Sequence, residues 1–358
     1  MSRERGFSMV ELMVAITLAL IVTTGVISVF VGSRSAYQAT SGTAELTDGG
    51  RFALNFISNS VRSSGYMACT TASNMQGILN AGSVLQYGFN ETLSGYEAVN
   101  TGIGTTYAVA AAPVAGDPNV AHWITTGAVP LDATLAGQPP LTNNDILVVH
   151  STLANAQSVY VSVIADGTST FNVNVQGPLL PGQLAVISDC AKAVVFQISS
   201  IAAGVVTHNP GGAPGNSVAA FPLSFTPGAQ VTPVDTVVYY IGQGADGDGA
   251  LFSYDLNAGI NPGPSELVPD IEAMQILYGI DTFKTQTVSQ YVTADQVTDF
   301  NTVMSVKVAL LAASAPGSAH SGPVALTYNL LGTTVTAPVD TRARQVFEET
   351  IAVRNSLP

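Results

Sequence analysis

The side chains able to do chemistry in this 358-residue chain are few and scattered. His122, His150, His208 and His320 stand alone, with no H-x-x-x-H pair to grip a metal, and read as satisfied core or surface histidines. No G-x-S-x-G elbow, phosphate-binding loop or dinucleotide fingerprint occurs, and no carboxylates carry a spacing that marks general acid–base work. The one site-like stretch is Ala245-Asp-Gly-Asp-Gly249. Asp246 and Asp248 alternate with flexible glycine, and such oxygens can wrap Ca²⁺. The twelfth position of an EF-hand loop would need Glu, and position 257 is Asn. Asp-Gly is also a hairpin signal, so a β-turn joining Tyr240 to Leu251 is the favoured reading, with calcium as the alternative and no other cofactor expected. Cys69 and Cys190 form no CxxC and no Cys/His cluster, which leaves zinc without support. In an exported chain they read as one disulfide; otherwise they are two buried thiols. Glu11 remains. It heads a run, Leu12 to Val31, that holds no charge at all. A carboxylate costs about 2.5–3.5 kcal/mol at the centre of a membrane helix, so this one calls for a partner.

These residues need elements to position them. As a helix, residues 7–32 would be about 39 Å long, more than the ~30 Å hydrocarbon core of a bilayer. Arg3 and Arg5 precede the run and Arg34 follows it, which places the N-terminus on the cytoplasmic side by the positive-inside rule. A secretory signal has a shorter apolar region and a small-residue cleavage site, and neither it nor a plain anchor explains Glu11. The chain as a whole is charge-poor: 10% charged residues against roughly 25% in average soluble proteins. The net charge of −13 and the lack of any basic run argue against nucleic acid as a direct partner.

Gly6-Phe7-Ser8-Met9-Val10-Glu11-Leu12 resembles the type IV prepilin signature: a short charged leader, glycine, an aromatic first mature residue and Glu at the fifth mature position. The resemblance implies cleavage between Gly6 and Phe7 by prepilin peptidase and N-methylation of Phe7. It also implies a role for Glu11 in pairing with the terminal amine of a neighbouring subunit. Losing Arg3, Arg5 and Glu4 removes a net +1, so the mature side-chain charge becomes −13 − 1 = −14. Many major pilins carry a proline in this helix; here the only breaker is Gly25.

Residues 33–64 continue as a helix, with Tyr37, Leu46, Phe52, Ala53, Phe56, Ile57 and Val61 as one apolar stripe that packs the globular domain. Gly49-Gly50 is expected to kink or pause it. Residues 70–143 read as loops and short strands. Strands are expected at 145–150, 159–164, 171–175, 184–187, 194–198, 234–241, 304–311, 324–331 and 347–353. Asp166-Gly167 marks a hairpin turn, 202–233 reads as loop, and Thr293-Ala-Asp-Gln296 has the spacing of a capping box opening a short helix. Many strands after one long helix make an α+β subunit. The expected organisation is a leader at 1–6, a transmembrane segment at 7–32, an amphipathic half-helix at 33–66 and a β-rich domain at 67–358.

Several islands are similar to the PilW family of minor pilins. They are Gly50-Arg-Phe-Ala-Leu54, Val61 to Tyr66 with Cys69, Ser188-Asp-Cys190 with Val195-Phe-Gln197, Tyr239-Tyr-Ile241, Glu266-Leu-Val268, Met274 to Asp281, Tyr291 to Asp295, and Arg344 to Pro358. The resemblance implies a non-catalytic structural subunit that helps initiate pilus assembly near the tip. Its implied partners are prepilin peptidase, other minor pilins, the major pilin, the inner-membrane assembly platform and a tip adhesin. The chain would wait as a single-pass inner-membrane protein with a periplasmic domain, then enter the surface pilus and serve motility or adhesion. A pseudopilin of a type II secretion system shares the leader and is the runner-up. An anchored periplasmic enzyme is a remote third, for want of a catalytic constellation.

Overall fold

The computed structural model describes residues 8–356 except 68, 71–73, 81–86, 117–121, 126–134, 136, 154–155, 176, 178, 213, 257–262 and 320–324. A single helix, α1, runs from Met9 to Ser63, a length of about 82 Å. It passes through Gly49-Gly50 unbroken, so the helix does not pause there.

The second half of α1 lies on a four-stranded antiparallel sheet ordered Gln290–Val292, Ile271–Ile280, Val303–Ala313, Arg344–Ala352. Leu46, Ala53, Leu54, Ile57 and Val61 share a core with Met274, Ile276, Val306, Val308, Leu310, Phe347 and Ile351. Strand Val303–Ala313 reads as an almost continuous apolar run because both its faces are covered. Val306, Val308 and Leu310 meet the helix side, while Ala309 and Leu311 pack with Leu330 and Val335 of a small three-stranded sheet.

A thirteen-stranded sheet forms the rest. Its axis is the long strand Gln230–Gln243. The first residues of that strand pair with Leu184–Ser188 and Val159–Ile164; the later ones pair with Ile146–Thr152 and Gly249–Asp255. One strand thus serves two lobes, with separate cores around Phe171, Phe196 and Val231 on one side and Tyr96, Val148 and Tyr240 on the other.

Three further expectations need correction. Phe52 and Phe56 do not face the domain: they are 62% and 36% exposed and touch each other, ring centroids 5.7 Å apart. Successive helix residues sit about 100° apart, so the 52/56 row is the neighbour of the buried 53/57/61 row and not part of it. Segment 202–233 is not all loop. Ser200–Ala202 and Val205–Thr207 make a hairpin whose turn residues Ala203 and Gly204 both have positive φ, and the long strand already begins at Gln230. At Thr293 the expected capping box is missing. Its hydroxyl bonds Asp295 Oδ1 at 2.6 Å, and Ala294–Gln296 is a single 3₁₀ turn.

Candidate functional site

The start of α1 is capped from within the sequence pattern. Ser8 is extended, its Oγ accepts from the Val10 N–H at 3.3 Å, and Glu11 Oε2 accepts from the Ser8 N–H at 3.0 Å. Two donors that a helix start leaves orphaned are satisfied this way. Glu11 therefore has a local role beside any role toward a partner. Gly6 and Phe7 lie outside the described residues.

From Met9 to Val31 the helix is bare, with nearly every large apolar side chain more than half exposed. It is long and apolar enough to cross a membrane. Its hydroxyls turn inward on the helix: Thr17, Thr23, Thr24 and Ser28 donate to the carbonyls of Met13, Ala19, Leu20 and Thr24 at 2.7–3.1 Å. No hydroxyl of this run is left to seek water, which is what a hydrocarbon setting requires.

The docked half is held by close approach. A Cβ at Gly50 would lie 2.7 Å from Phe347 Cγ and nearer still to Cδ2 and Cε2; one at Gly42 would overlap the Ser318 side chain. Glycine at these points lets the sheet approach the helix backbone. At the helix end, Glu349 Oε1 accepts from Ser58 Oγ and from Arg62 Nη2, each at 2.9 Å, and Asn355 Nδ2 donates to the Ser64 carbonyl at 2.7 Å.

Six residues beyond the helix, Cys69 is bonded to Cys190, with Cα atoms 4.7 Å apart and a sequence separation of 121. Cys190 sits at positive φ in the turn between Leu184–Ser188 and Ala193–Gln197. That turn is built by Asp189 Oδ1, which accepts from the Ala191 and Lys192 N–H groups.

Asp246 and Asp248 do lie in a hairpin turn. Gly247 has φ +92°, and Gly244 N–H donates to the Asp248 carbonyl at 2.8 Å. The fold adds a third carboxylate, Asp270, with oxygens of all three within 4.8 Å of one another. Positive charge is supplied there by Arg342, whose Nη2 donates to Asp248 at 2.8 Å and Asp270 at 2.7 Å. Next to it Arg344 forks onto Glu272 at 2.6 and 2.9 Å and reaches Asp340 at 2.8 Å. The turn reading accounts for the stretch. No local pattern pointed to Arg342, because Asp248 and Asp270 are distant in sequence; Arg344 combines the distant Glu272 with Asp340, four residues before it.

The described histidines are packing groups. His150 Nδ1 meets Thr236 Oγ1 at 2.9 Å, and burial pushes its pKa down to about 3. His208 stacks on Phe221 with centroids 4.0 Å apart, and burial lowers it to about 4. His122 abuts Trp123, and His320 falls outside the described residues.

Residues 238–355 match the family model of the type IV pilus-assembly protein W, and residues 1–27 match the prokaryotic N-terminal methylation motif. The islands around Gly50–Cys69 and Ser188–Gln197 lie outside both matches. A type IV-like pilin from Thermus thermophilus is similar at 19% identity over 50% of this chain and 87% of its own, with a TM-score of 0.23. No curated protein sequence matches the chain.

Proposed function

We propose that this type IV pilin-like chain, with its N-terminal methylation motif and its PilW-type segment, is a minor pilin that helps initiate filament assembly near the pilus tip. The observation carrying this reading is the continuity of α1. One unbroken helix has a bare, charge-free first half and a second half locked into the four-stranded sheet. Such a helix can exchange a bilayer for the core of a helical bundle without refolding. In this reading prepilin peptidase cuts between Gly6 and Phe7, Phe7 is N-methylated, and Glu11 pairs with a neighbour's terminal amine. The subunit waits in the inner membrane with its β-rich domain in the periplasm and meets the assembly platform, other minor pilins, the major pilin and a tip adhesin. The bulk of residues 67–358 beside a single helix suits a filament end better than a repeating shaft.

N-terminal mass spectrometry of the membrane form should find a chain starting at methylated Phe7; a start at Met1 would overturn the processing step. The capping box supplies a sharper test for Glu11. Glu11→Gln can keep the reciprocal cap but loses the charge, whereas Glu11→Val loses both. Both variants should stay membrane-bound while piliation falls. Normal piliation with Glu11→Gln and loss with Glu11→Val would reduce Glu11 to a helix cap.

A further inference from the structure

Among the described residues, one buried acid has a carboxyl oxygen with no partner. Glu97, in strand Leu93–Ala98, is 4% exposed. Its Oε1 has only a long contact with Thr101 Oγ1 at 3.4 Å, and its Oε2 has no hydrogen-bond partner. A buried carboxyl left this way is expensive and requires an explanation. The carboxyl faces a cleft of about 230 Å³ between the turn that follows its strand and the 3₁₀ turn Ala294–Gln296. A Cβ on Gly102, which lines that cleft, would sit 3.5 Å from Glu97 Oε1. Asp295 lines the same cleft, and so do Asn100, Thr105 and Thr293. The wall holds no Lys, Arg or His among the described residues. Carboxylate, amide and hydroxyl oxygens in an irregular, open cleft are the donor set of a hard cation with flexible coordination.

We propose that Glu97 and Asp295 form a calcium site that ties strand Leu93–Ala98 to the Ala294–Gln296 turn. The electrostatics run the same way. Burial, then the nearby Asp145 and Asp295 carboxylates, make a negative charge at Glu97 costly, and a bound cation would offset that cost. Asp145 is not a candidate ligand, because its oxygens accept from the Ala98 and Ile276 N–H groups at 2.9 and 2.7 Å. The site joins a segment outside the PilW-type match to one inside it.

The chain's single tryptophan reports on this place: Trp123 pairs with Ala98, the residue after Glu97. The experiment is chelator-treated full-length protein in detergent, titrated with CaCl₂ to about 10 mM, above the 10⁻⁴–10⁻³ M range typical of extracellular modules. Trp123 emission should change saturably and the unfolding midpoint should rise. Glu97→Gln and Asp295→Asn should each abolish the calcium response, while Asp246→Asn keeps it. MgCl₂ should give a weaker response. No calcium response in the wild type, or one that survives Glu97→Gln, overturns the proposal. So does a response lost in Asp246→Asn alone, which would put the ion at the Asp246 hairpin.

Discussion

Gly49 and Gly50 are neighbours in one helix with opposite surroundings, and that makes a paired test of how α1 is docked. A Cβ at Gly49 would rest 3.6 Å from Val268 Cγ1, an ordinary contact. At Gly50 it would enter the space of the buried Phe347 ring. Replacing glycine by alanine inside a helix gains about 1 kcal/mol at either position. Gly49→Ala should therefore stabilise the chain by about that amount. Gly50→Ala gains the same propensity but overpacks a filled core, at about 1–3 kcal/mol. Propensity cancels between the two variants, so their difference isolates the clash. The assay is urea unfolding at fixed detergent, followed by Trp123 fluorescence. Adding Phe347→Leu to Gly50→Ala should recover part of the loss, with a coupling above about 0.5 kcal/mol. Equal stabilisation by both alanines would refute the account, because Phe347 would then swing aside freely and close approach would not be what seats the helix.

The disulfide closes a long loop, so Cys69→Ser with Cys190→Ser should lower the unfolding midpoint; chain entropy alone gives roughly 4.7 kcal/mol for a 100-residue loop. Recovery of both cysteines as free thiols from periplasmic protein, by non-reducing peptide mapping, would refute the bridge. Stability should also fall as pH rises above about 6.5. Burial and Asp255 push Asp235 up to about 7, and burial raises Glu97 and Asp145. The native state then holds protons that the unfolded chain has released, and that advantage disappears as pH climbs through the folded values. His150 and His208, buried neutral, act in the opposite sense below 6.5, so the window above it is the clean one. Asp235→Asn should flatten the slope in urea titrations between pH 6.5 and 8; an unchanged slope would remove Asp235 from the explanation.

What could be read in the sequence was local. The apolar run behind Glu11 declares a helix by length alone, and the Asp246–Gly249 turn declares itself by its glycines. The stripe was half legible: periodicity of four picked out Ala53, Ile57 and Val61, but it also picked out Phe52 and Phe56, and only the sheet decides which row is covered. Strand Leu93–Ala98 was hidden because its sequence, LSGYEA, carries Gly95 and Glu97 where a strand former would be expected. Gly95 is there because the Tyr278 hydroxyl fills the space of a side chain. Glu97 in one cleft with Asp295, and Arg342 between Asp248 and Asp270, are products of register between distant strands, which no spacing along the chain encodes.

That division also explains where the covalent bond lies. The PilW-type segment includes three of the strands beneath α1, Ile271–Ile280, Val303–Ala313 and Arg344–Ala352, and grips the helix without covalent help. The lobe around Phe171 and Phe196 lies outside that segment and touches it through the long strand Gln230–Gln243, which enters the matched region only at residue 238. A buried core of Met67 and Phe89 with Leu184, Val186 and Val195 also joins that lobe to the segment after the helix. Cys190 belongs to the edge of this same lobe, and its partner Cys69 follows directly on the helix end. The bridge adds a covalent tether at the point where the helix leaves the domain. In a filament subunit pulled through its helix, tension reaching Ser63 would divide between the Glu349 and Asn355 contacts on one side and the Cys69–Cys190 bond on the other. Hydrogen bonds on the first path can open and re-form, whereas the covalent path holds until it is reduced.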